Sequence, residues 1–209
     1  MKFIDLTREI RDGSVVYPGQ PELNISKHYN LKKDGRNLEK ISMSSHFGTH
    51  IDSPFHFIDE GNTIDKINIE KLSGKTYVME FQKSKGETIE LNEIKNHKEA
   101  IKKHKRIIIK TGWEKKGEVF YQAYPVLSTE ATQFIADQHP YLLGMDTPSP
   151  GPKGEKGNLI HKILLKNEIV ILEGLTNLKE IKKEIFTMLC IPLKLYGTSG
   201  APCRVLALK

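Results

Sequence analysis

Cysteine and long apolar runs are scarce in this chain. Two cysteines, Cys190 and Cys203, occur in 209 residues, which is too few for a disulfide framework. We therefore expect reduced thiols in a cytoplasmic protein. No run approaches the ~18 apolar residues that a transmembrane helix needs, so no membrane span is expected. The N-terminal segment carries Asp5, Arg8 and Glu9 where a secretory signal peptide would need apolar side chains.

Internal repeats and low-complexity segments are also missing from the sequence. The length therefore predicts one domain over residues 1–209. Hydrophobic residues make up 38% of the chain and charged residues 28%, which is enough apolar material for a core.

The charge balance is basic, with a formal net charge of +6. Such a balance is typical of some nucleic-acid-binding proteins. The excess here is mostly lysine and is scattered along the chain. The densest stretch, from Lys95 to Arg106, is interrupted by Glu99 and indicates a solvated helix face. We therefore expect a small-molecule substrate and no nucleic-acid partner, because phosphate contacts do not need the His/Asp cluster described below.

Apolar runs and turn residues predict more strands than helices. The predicted strands are Phe3–Leu6, Thr76–Phe81, Arg106–Lys110, Tyr141–Met145, Glu168–Glu173, Leu189–Leu195 and Arg204–Leu208. The predicted helices are Asn92–Lys105, Thr129–Asp137 with Ser128 or Thr129 as its cap, and Leu159–Lys166 with Asn158 as its cap. Several strands are wholly apolar, which favours an α/β fold with a mixed sheet covered by helices. Residues 147–157, rich in Pro and Gly, are expected to form an irregular functional loop.

Within residues 46–56, the metal-ligating side chains stand at even positions and the large apolar side chains at odd positions. The even positions carry His46, His50, Asp52 and His56. The odd positions carry Phe47, Ile51 and Phe55. An extended chain would point the first set to one face and the second set to the core. His and Asp side chains together are typical ligands of a catalytic metal ion.

A helix would not bring all these ligands together. His46 and His50 would share a helix face, but Asp52 would lie about 200° around from His50, and Pro54 would break the helix. A straight strand separates His46 from His50 by about 13 Å, the limit for two imidazoles on one ion. We therefore expect an extended segment with a bend near Gly48, where the backbone is permissive.

The pattern His46-x-Gly48-Thr49-His50-x-Asp52-x-Pro54-x-His56 resembles the HxGTHxDxPxH signature of the cyclase family, which includes kynurenine formamidases and isatin hydrolases. Residues 144–149 resemble its GxDxxS segment, and His161, residues 171–175, 191–195 and 200–204 also match in order. The resemblance implies a swivelling β/β/α fold and a homodimer or higher homo-oligomer.

The resemblance also implies a role for each matching residue. His46, His50 and Asp52 would bind one metal ion, and His161 a second, with Asp52 and Glu173 bridging the two. His56 would be the catalytic proton donor and acceptor. The residues by themselves indicate less for the distant positions. Without the resemblance, the local sequence of His161 favours a partly buried structural histidine over a metal ligand. Glu173 ends an apolar strand, where a charge is costly unless it is paired or metal-bound.

Two further positions are left open by the sequence. Asp146 ends a strand and would either orient a ligand histidine or cap a turn. Tyr17, followed by Pro18-Gly19-Gln20, stands where kynurenine formamidases usually have the Trp of a WPGD segment. We expect Tyr17 to stack on the substrate.

The expected activity is metal-dependent hydrolysis of an amide C–N bond by metal-activated water, as in an arylformamidase that converts N-formylkynurenine to kynurenine and formate in tryptophan catabolism. Alternatives are a cyclic amide, imide or lactone hydrolase of the isatin hydrolase kind, and a non-catalytic metal- or nucleic-acid-binding module. The cofactor expected is a divalent metal, zinc first and manganese or iron as alternatives, with one or two ions per chain.

Overall fold

The computed structural model describes residues 2–113, 115 and 117–208. In this part of the chain, the strands in order are β1 (Phe3–Asp5), β2 (Asn24–Tyr29), β3 (Leu38–Ser42), β4 (His50–Asp52), β5 (Gly74–Glu80), β6 (Thr88–Ile89), β7 (Arg106–Lys110), β8 (Val126–Leu127), β9 (Leu142–Met145), β10 (Val170–Glu173), β11 (Ile185–Pro192) and β12 (Gly200–Leu208). The α-helices are α1 (Leu31–Asp34), α2 (Ile69–Leu72), α3 (Leu91–Ile94), α4 (Lys98–His104), α5 (Thr129–Ala136) and α6 (Glu155–Lys166). Short 3₁₀ turns cover Pro54–His56, Ile64–Lys66, Lys95–His97, Gly117–Tyr121 and Leu178–Glu180.

Eight strands form one mixed sheet in the order β1-β12-β11-β5-β7-β9-β10-β4. The run β5-β7-β9-β10 is parallel, and the other pairings are antiparallel. The long strand β12 pairs with β11 along one side. On its other side it pairs with β4 near its start and with β1 near its end. The β12–β4 pairing closes the sheet into a barrel, so the expected mixed α/β fold is confirmed.

The apolar strands are buried on both faces. Ile108 on β7 packs into the cluster that fills the barrel, together with Leu142 and Leu172. Its neighbours Ile107 and Ile109 belong to the cluster on the outer face, which the helices cover. Because successive strand residues point to opposite faces, a strand enclosed on both sides must be apolar throughout. This explains the continuous run that predicted β7.

Two predicted helices differ from the structure at their boundaries. The expected helix over 92–105 is two helices, α3 and α4, joined by a 3₁₀ turn. Helix α6 begins at Glu155 after Gly154, so the prediction of Asn158 as its cap was wrong. Its first turn therefore uses part of the segment expected to be an irregular loop. Ser128 caps α5 by accepting a hydrogen bond from Ala131 N, as predicted.

The hairpin formed by β2 and β3 was not predicted. Its strands pair with each other in a sheet of their own, and most of their side chains are exposed. Ile41 is 57% exposed and Leu38 46%. Because this hairpin has no buried face in the single chain, it lacks the alternation that identifies a half-buried strand.

No helix in the described residues is long and apolar enough to cross a membrane.

Candidate metal centre

The segment 46–56 is extended for only three residues. His50–Asp52 form β4, a loop precedes it, and the 3₁₀ turn Pro54–His56 follows it. Gly48 has φ +68°, a left-handed conformation that glycine adopts at little cost, and the predicted bend near Gly48 is confirmed. Phe47 and Ile51 are buried, but Phe55 is 40% exposed, so its assignment to the core was wrong. The 3₁₀ turn rotates it out of the strand alternation.

Strand pairing brings the distant ligand candidates together. In the β10–β4 register, Glu173 lies opposite His50, and Ile171 opposite Asp52. His161 comes from α6, which connects the parallel strands β9 and β10. Two groups of ligand atoms result, each with its atoms within 4.8 Å of one another: His46, His50, Asp52 and Asp52, His161, Glu173. The structure therefore assembles all five predicted ligands.

The two carboxylates lie between the histidines. Asp52 Oδ1 is 2.7 Å from His46 Nδ1 and 3.2 Å from His50 Nε2, while its Oδ2 is 3.8 Å from His161 Nε2. Glu173 Oε2 is 3.3 Å from His50 Nε2, and its Oε1 is 3.2 Å from His161 Nε2. Each carboxylate therefore offers one oxygen to each side of the cluster.

Hydrogen bonds behind the cluster fix which nitrogen of each histidine faces inward. His50 Nδ1 is 3.2 Å from the Gly48 carbonyl oxygen, and His161 Nδ1 is 2.8 Å from that of Gly157. These rings must donate from Nδ1, which leaves the Nε2 lone pair for a metal ion. The ring of His46 has the opposite orientation: its Nδ1 faces Asp52, and its Nε2 lies 2.8 Å from Ser199 Oγ. The donor set of imidazole nitrogens and carboxylate oxygens fits Zn²⁺, Mn²⁺ or Fe²⁺.

The charges of the cluster shift its pKa values. Burial lowers the pKa of His50, but hydrogen bonds to Asp52 and Glu173 outweigh it and raise the pKa to about 10. The pKa of His161 is also raised, because Glu173 outweighs the effect of burial. Burial opposes ionisation of Asp52, yet the charges of His46 and His56 hold its pKa well below the usual range. A cluster of this kind stores protons that a metal ion would displace.

The cluster forms the floor of a cavity of about 140 Å³. His56 lines this cavity and stacks on His46 with ring centroids 4.0 Å apart. Burial lowers the pKa of His56, which leaves the ring neutral at neutral pH. The catalytic candidate therefore lies beside the ligands, with the proton-accepting form available.

Aromatic side chains make the wall of the cavity. Tyr17, the predicted substrate-contacting residue, lines it, and its hydroxyl is 3.4 Å from that of Tyr124. Its ring meets Tyr121 edge-on at 5.8 Å between centroids. Phe57 and Phe120 also line the cavity. The sequence did not identify Phe57, Phe120 or Tyr121 as cavity residues. The cluster of aromatic residues between positions 120 and 124 was the feature that could have indicated two of them.

Asp146 is part of the scaffold of this wall. Its carboxylate accepts hydrogen bonds from the backbone N–H groups of Thr111, Gly112 and Trp113 and from the Thr111 hydroxyl. Trp113 Nε1 in turn donates to the Phe120 carbonyl oxygen at 3.0 Å. Of the two roles left open by the sequence, the structure supports capping a turn. That turn holds Phe120 at the cavity.

The family model Cyclase, described as "Putative cyclase", matches residues 4–152. The chain belongs to this family. The kynurenine formamidase of Bacillus anthracis is 29% identical over 205 residues, covering 97% of this chain and 95% of the relative. A kynurenine formamidase of Bacillus cereus is 28% identical with the same coverage.

Solved structures can be superposed on this chain over nearly its whole length. One described as a "potential metal-dependent hydrolase with cyclase activity" is 27% identical with a TM-score of 0.80, covering 99% of this chain and 96% of that one. Isatin hydrolase A from Labrenzia aggregata, 22% identical, has a TM-score of 0.84 with 99% and 93% coverage and shows the shared fold. Together, the relatives and the donor set support a metal-dependent hydrolase of this family.

Proposed function

We propose that the chain hydrolyses the amide C–N bond of a small aromatic formamide, in the manner of an arylformamidase acting on N-formylkynurenine in tryptophan catabolism. The observation that carries the proposal is that Asp52 belongs to both groups of ligand candidates, on the floor of a cavity with an aromatic wall. Glu173 lies between His50 and His161 in the same cluster. Relatives named kynurenine formamidase support the substrate class.

The proposed ligands are His46, His50, Asp52, His161 and Glu173, for one or two ions with zinc as the first candidate. When bound there, a divalent ion would lower the pKa of water and polarise the substrate carbonyl. His56, neutral in its buried position, takes a proton from the attacking water at a ring nitrogen and delivers it to the leaving nitrogen as the C–N bond breaks. Tyr17 and Tyr121 contact the aromatic ring of the substrate and orient its amide toward His56.

A second candidate function is hydrolysis of a cyclic amide, imide or lactone. Two observations favour it: the small volume of the cavity, about 140 Å³, and a Tyr at position 17 where kynurenine formamidases usually have a Trp. A compact bicyclic substrate would fill such a cavity more completely than a substrate with an amino-acid side chain.

Metal content and hydrolysis, measured on the same sample, test the proposal. The purified protein is stripped, restored with Zn²⁺, Mn²⁺ or Fe²⁺, and analysed for metal per chain. N-formylkynurenine is then compared with isatin, phthalimide and an aryl lactone. We expect at least one ion per chain and the highest kcat/KM on N-formylkynurenine. A preference for the cyclic substrates would favour the second candidate.

Glu173→Gln provides the matched variant, with exposed Glu184→Gln as its control. Glu173→Gln should lose metal and turnover together, and Glu184→Gln neither. A metal ratio near zero, or bound metal without hydrolysis of any substrate, would contradict the proposal. Salt-dependent binding to nucleic acid would then be tested for the non-catalytic alternative.

We also propose that residues 1–209 form one domain that acts in the cytoplasm as a homodimer or higher homo-oligomer. The pairing of β1 with β12 supports the single domain. The two free, buried cysteines are consistent with a reducing compartment.

The exposed β2–β3 hairpin supports self-association. Ile25 is paired with Ile41 on one face, and Lys27 is paired with Glu39 next to them on the same face. A second copy related by two-fold symmetry would therefore meet an apolar pair beside a pair of opposite charges.

A further inference from the structure

The hydroxyl of Ser199 contacts one edge of the His46 ring. Its Oγ lies 2.8 Å from His46 Nε2, and His46 is its one hydrogen-bond partner among the residues that the structure describes. The other nitrogen of the ring, Nδ1, lies 2.7 Å from Asp52 Oδ1. The imidazole therefore has a hydrogen-bond partner at each nitrogen, with the ligand cluster at Nδ1 and Ser199 at Nε2.

The backbone around Ser199 fixes the position of this hydroxyl. The Ser199 carbonyl oxygen accepts hydrogen bonds from Ser53 N and Ser53 Oγ, both at 2.9 Å. Ser53 is fully buried and directly follows Asp52. A Cβ at Gly200, the next residue, would lie 2.6 Å from His46 Cε1, so the ring packs directly against that backbone. The chain thus holds Ser199 Oγ at the ring edge just before β12 begins.

Ser199 differs from the groups that hold the other ligand histidines. His50 Nδ1 and His161 Nδ1 face backbone carbonyl oxygens, which accept hydrogen bonds and cannot donate them. Those two rings therefore keep a proton on Nδ1 whether or not the cluster holds a metal ion. A hydroxyl both donates and accepts, so Ser199 Oγ pairs with His46 Nε2 whether or not that nitrogen carries a proton.

The two forms of the His46 ring suit two states of the cluster. With a proton on Nδ1 alone, the ring donates to Asp52 and accepts from the Ser199 hydroxyl. With the proton on Nε2, the ring donates to Ser199 Oγ, and the Nδ1 lone pair is available to a metal ion. Only 9% of the His46 side chain is exposed, so an Nε2–H without an acceptor would be unfavourable. The metal-binding form therefore depends on Ser199.

We propose that Ser199 is a positioning residue for metal binding: its Oγ accepts the Nε2–H of His46 and thereby directs Nδ1 into the first ligand group, which consists of His46, His50 and Asp52. The inference rests on the proposed function, because that function assigns His46 as a ligand. His46 belongs to the first group and not to the second. The effect of Ser199 should therefore be confined to an ion that the first group holds.

Metal competition titrations of the stripped protein test the proposal, with Zn²⁺ and a chromophoric chelator. Ser199→Ala removes the acceptor and should weaken binding of the ion in the first group roughly 10–100-fold, the range for losing the hydrogen bond behind a ligand histidine. Ser199→Thr keeps the hydroxyl and should restore most of that affinity. Zinc affinity in Ser199→Thr as low as in Ser199→Ala would overturn the inference.

Thr198→Ala is the matched control. It removes the neighbouring hydroxyl, whose hydrogen-bond partners are the backbone oxygens of Leu195 and Gly200 rather than the His46 ring. Zinc affinity in Thr198→Ala should equal that of the wild type. An equal loss of affinity in Thr198→Ala and Ser199→Ala would overturn the inference, because the effect would then not pass through His46.

Two further measurements separate positioning from a purely structural role. In the Zn²⁺-loaded wild type, the Nε2 proton of His46 should exchange slowly with water by NMR, and it should exchange faster in Ser199→Ala. Urea unfolding of the metal-free proteins gives their folding stability. A structural role would lower this stability in Ser199→Ala and leave both zinc affinity and proton exchange unchanged, and that result would overturn the inference.

Failure of the inference differs from failure of the proposed function. If the wild type and Ser199→Ala bind zinc equally well, the inference fails and the proposed function stands. If the wild type binds no metal, both fail. If metal binds but no substrate is hydrolysed, the proposed function fails, and the zinc titrations still decide the role of Ser199.

Discussion

At the scale of single residues, His56 differs from the other histidines of the centre in what surrounds it. His46, His50 and His161 each lie within 3.3 Å of a carboxylate oxygen. His56 instead stacks on His46 and meets Phe57 edge-on. Its pKa is lowered by burial, with Asp52 opposing that effect in part. The ring is thus available for proton transfer, while carboxylates hold the other three.

We predict that His56→Ala leaves metal bound but lowers kcat by about 10²–10⁴-fold, the range expected for loss of a general acid–base group. Steady-state kinetics and elemental analysis on one sample measure both quantities. His104→Ala, at the end of α4 and outside the cavity lining, is the control and should keep full activity. Full activity in His56→Ala would show that the proton travels by another route.

His50 makes the folding stability of the metal-free protein depend on pH. Its folded-state pKa, about 10, lies above its usual value of 6.5, because Asp52 and Glu173 outweigh the effect of burial. A raised pKa contributes stability that is fully present below pH 6.5 and is lost as pH rises through about 10.

We therefore predict that the free energy of unfolding of the metal-free protein decreases between pH 6.5 and 10. Urea titrations across this range measure the effect. In the metal-loaded protein the ligand histidines are already deprotonated, so the same titrations should give a flatter curve. His50→Gln should flatten the metal-free curve as well. A metal-free curve without this decrease would mean that His50 is neutral in the cluster.

At the scale of elements, helix α6 positions its ligand through a close contact with the preceding loop. A Cβ at Gly157 would lie 1.8 Å from the Pro152 carbonyl oxygen, so only glycine fits there. The carbonyl of the same residue accepts the hydrogen bond of His161 Nδ1. Gly157 thus joins three features. It lets the start of α6 pack against the preceding loop, and it fixes the orientation of His161.

We predict that Gly157→Ala lowers the free energy of unfolding by roughly 1–3 kcal/mol because of overpacking. It should also weaken metal binding about 10–100-fold, because His161 loses its fixed orientation. Chemical denaturation and metal competition titrations measure the two effects. Lys156→Ala, exposed in the same turn, should change neither. Unchanged metal affinity in Gly157→Ala would remove the proposed link between the loop and the ligand.

At the scale of the whole molecule, closure of the sheet builds the centre. Strand β4 is only three residues long, yet it pairs with β10 on one side and β12 on the other. The chain thereby brings His50 and Glu173, 123 positions apart in the sequence, into direct opposition. The β2–β3 hairpin lies outside this barrel with a face that the described chain does not cover.

We predict that Ile41→Lys converts the proposed dimer into a single chain, because a charge replaces an apolar side chain at the centre of the contact. Light scattering measures the molar mass. Lys40→Ala, on the opposite face of the hairpin by strand alternation, is the matched control and should leave the mass unchanged. If Ile41→Lys and the wild type have the same molar mass, association does not use this face.

The sequence by itself determined the local chemistry and most of the elements. Apolar runs such as Ile107–Ile109 identified strands because burial on both faces leaves no polar positions. The spacing of His46, His50 and Asp52, with Pro54, excluded a helix and required a bend at Gly48. The resemblance supplied His161 and Glu173, which their local sequence indicated only weakly.

The tertiary structure decided what depends on contacts between distant segments. The register between β10 and β4 is set by closure of the barrel, and it alone sets the distance from Glu173 to His50. Asp146 caps a turn because the Thr111–Trp113 backbone lies beside it, which no local pattern encodes. Ligand types follow from residue identity, whereas ligand geometry follows from packing.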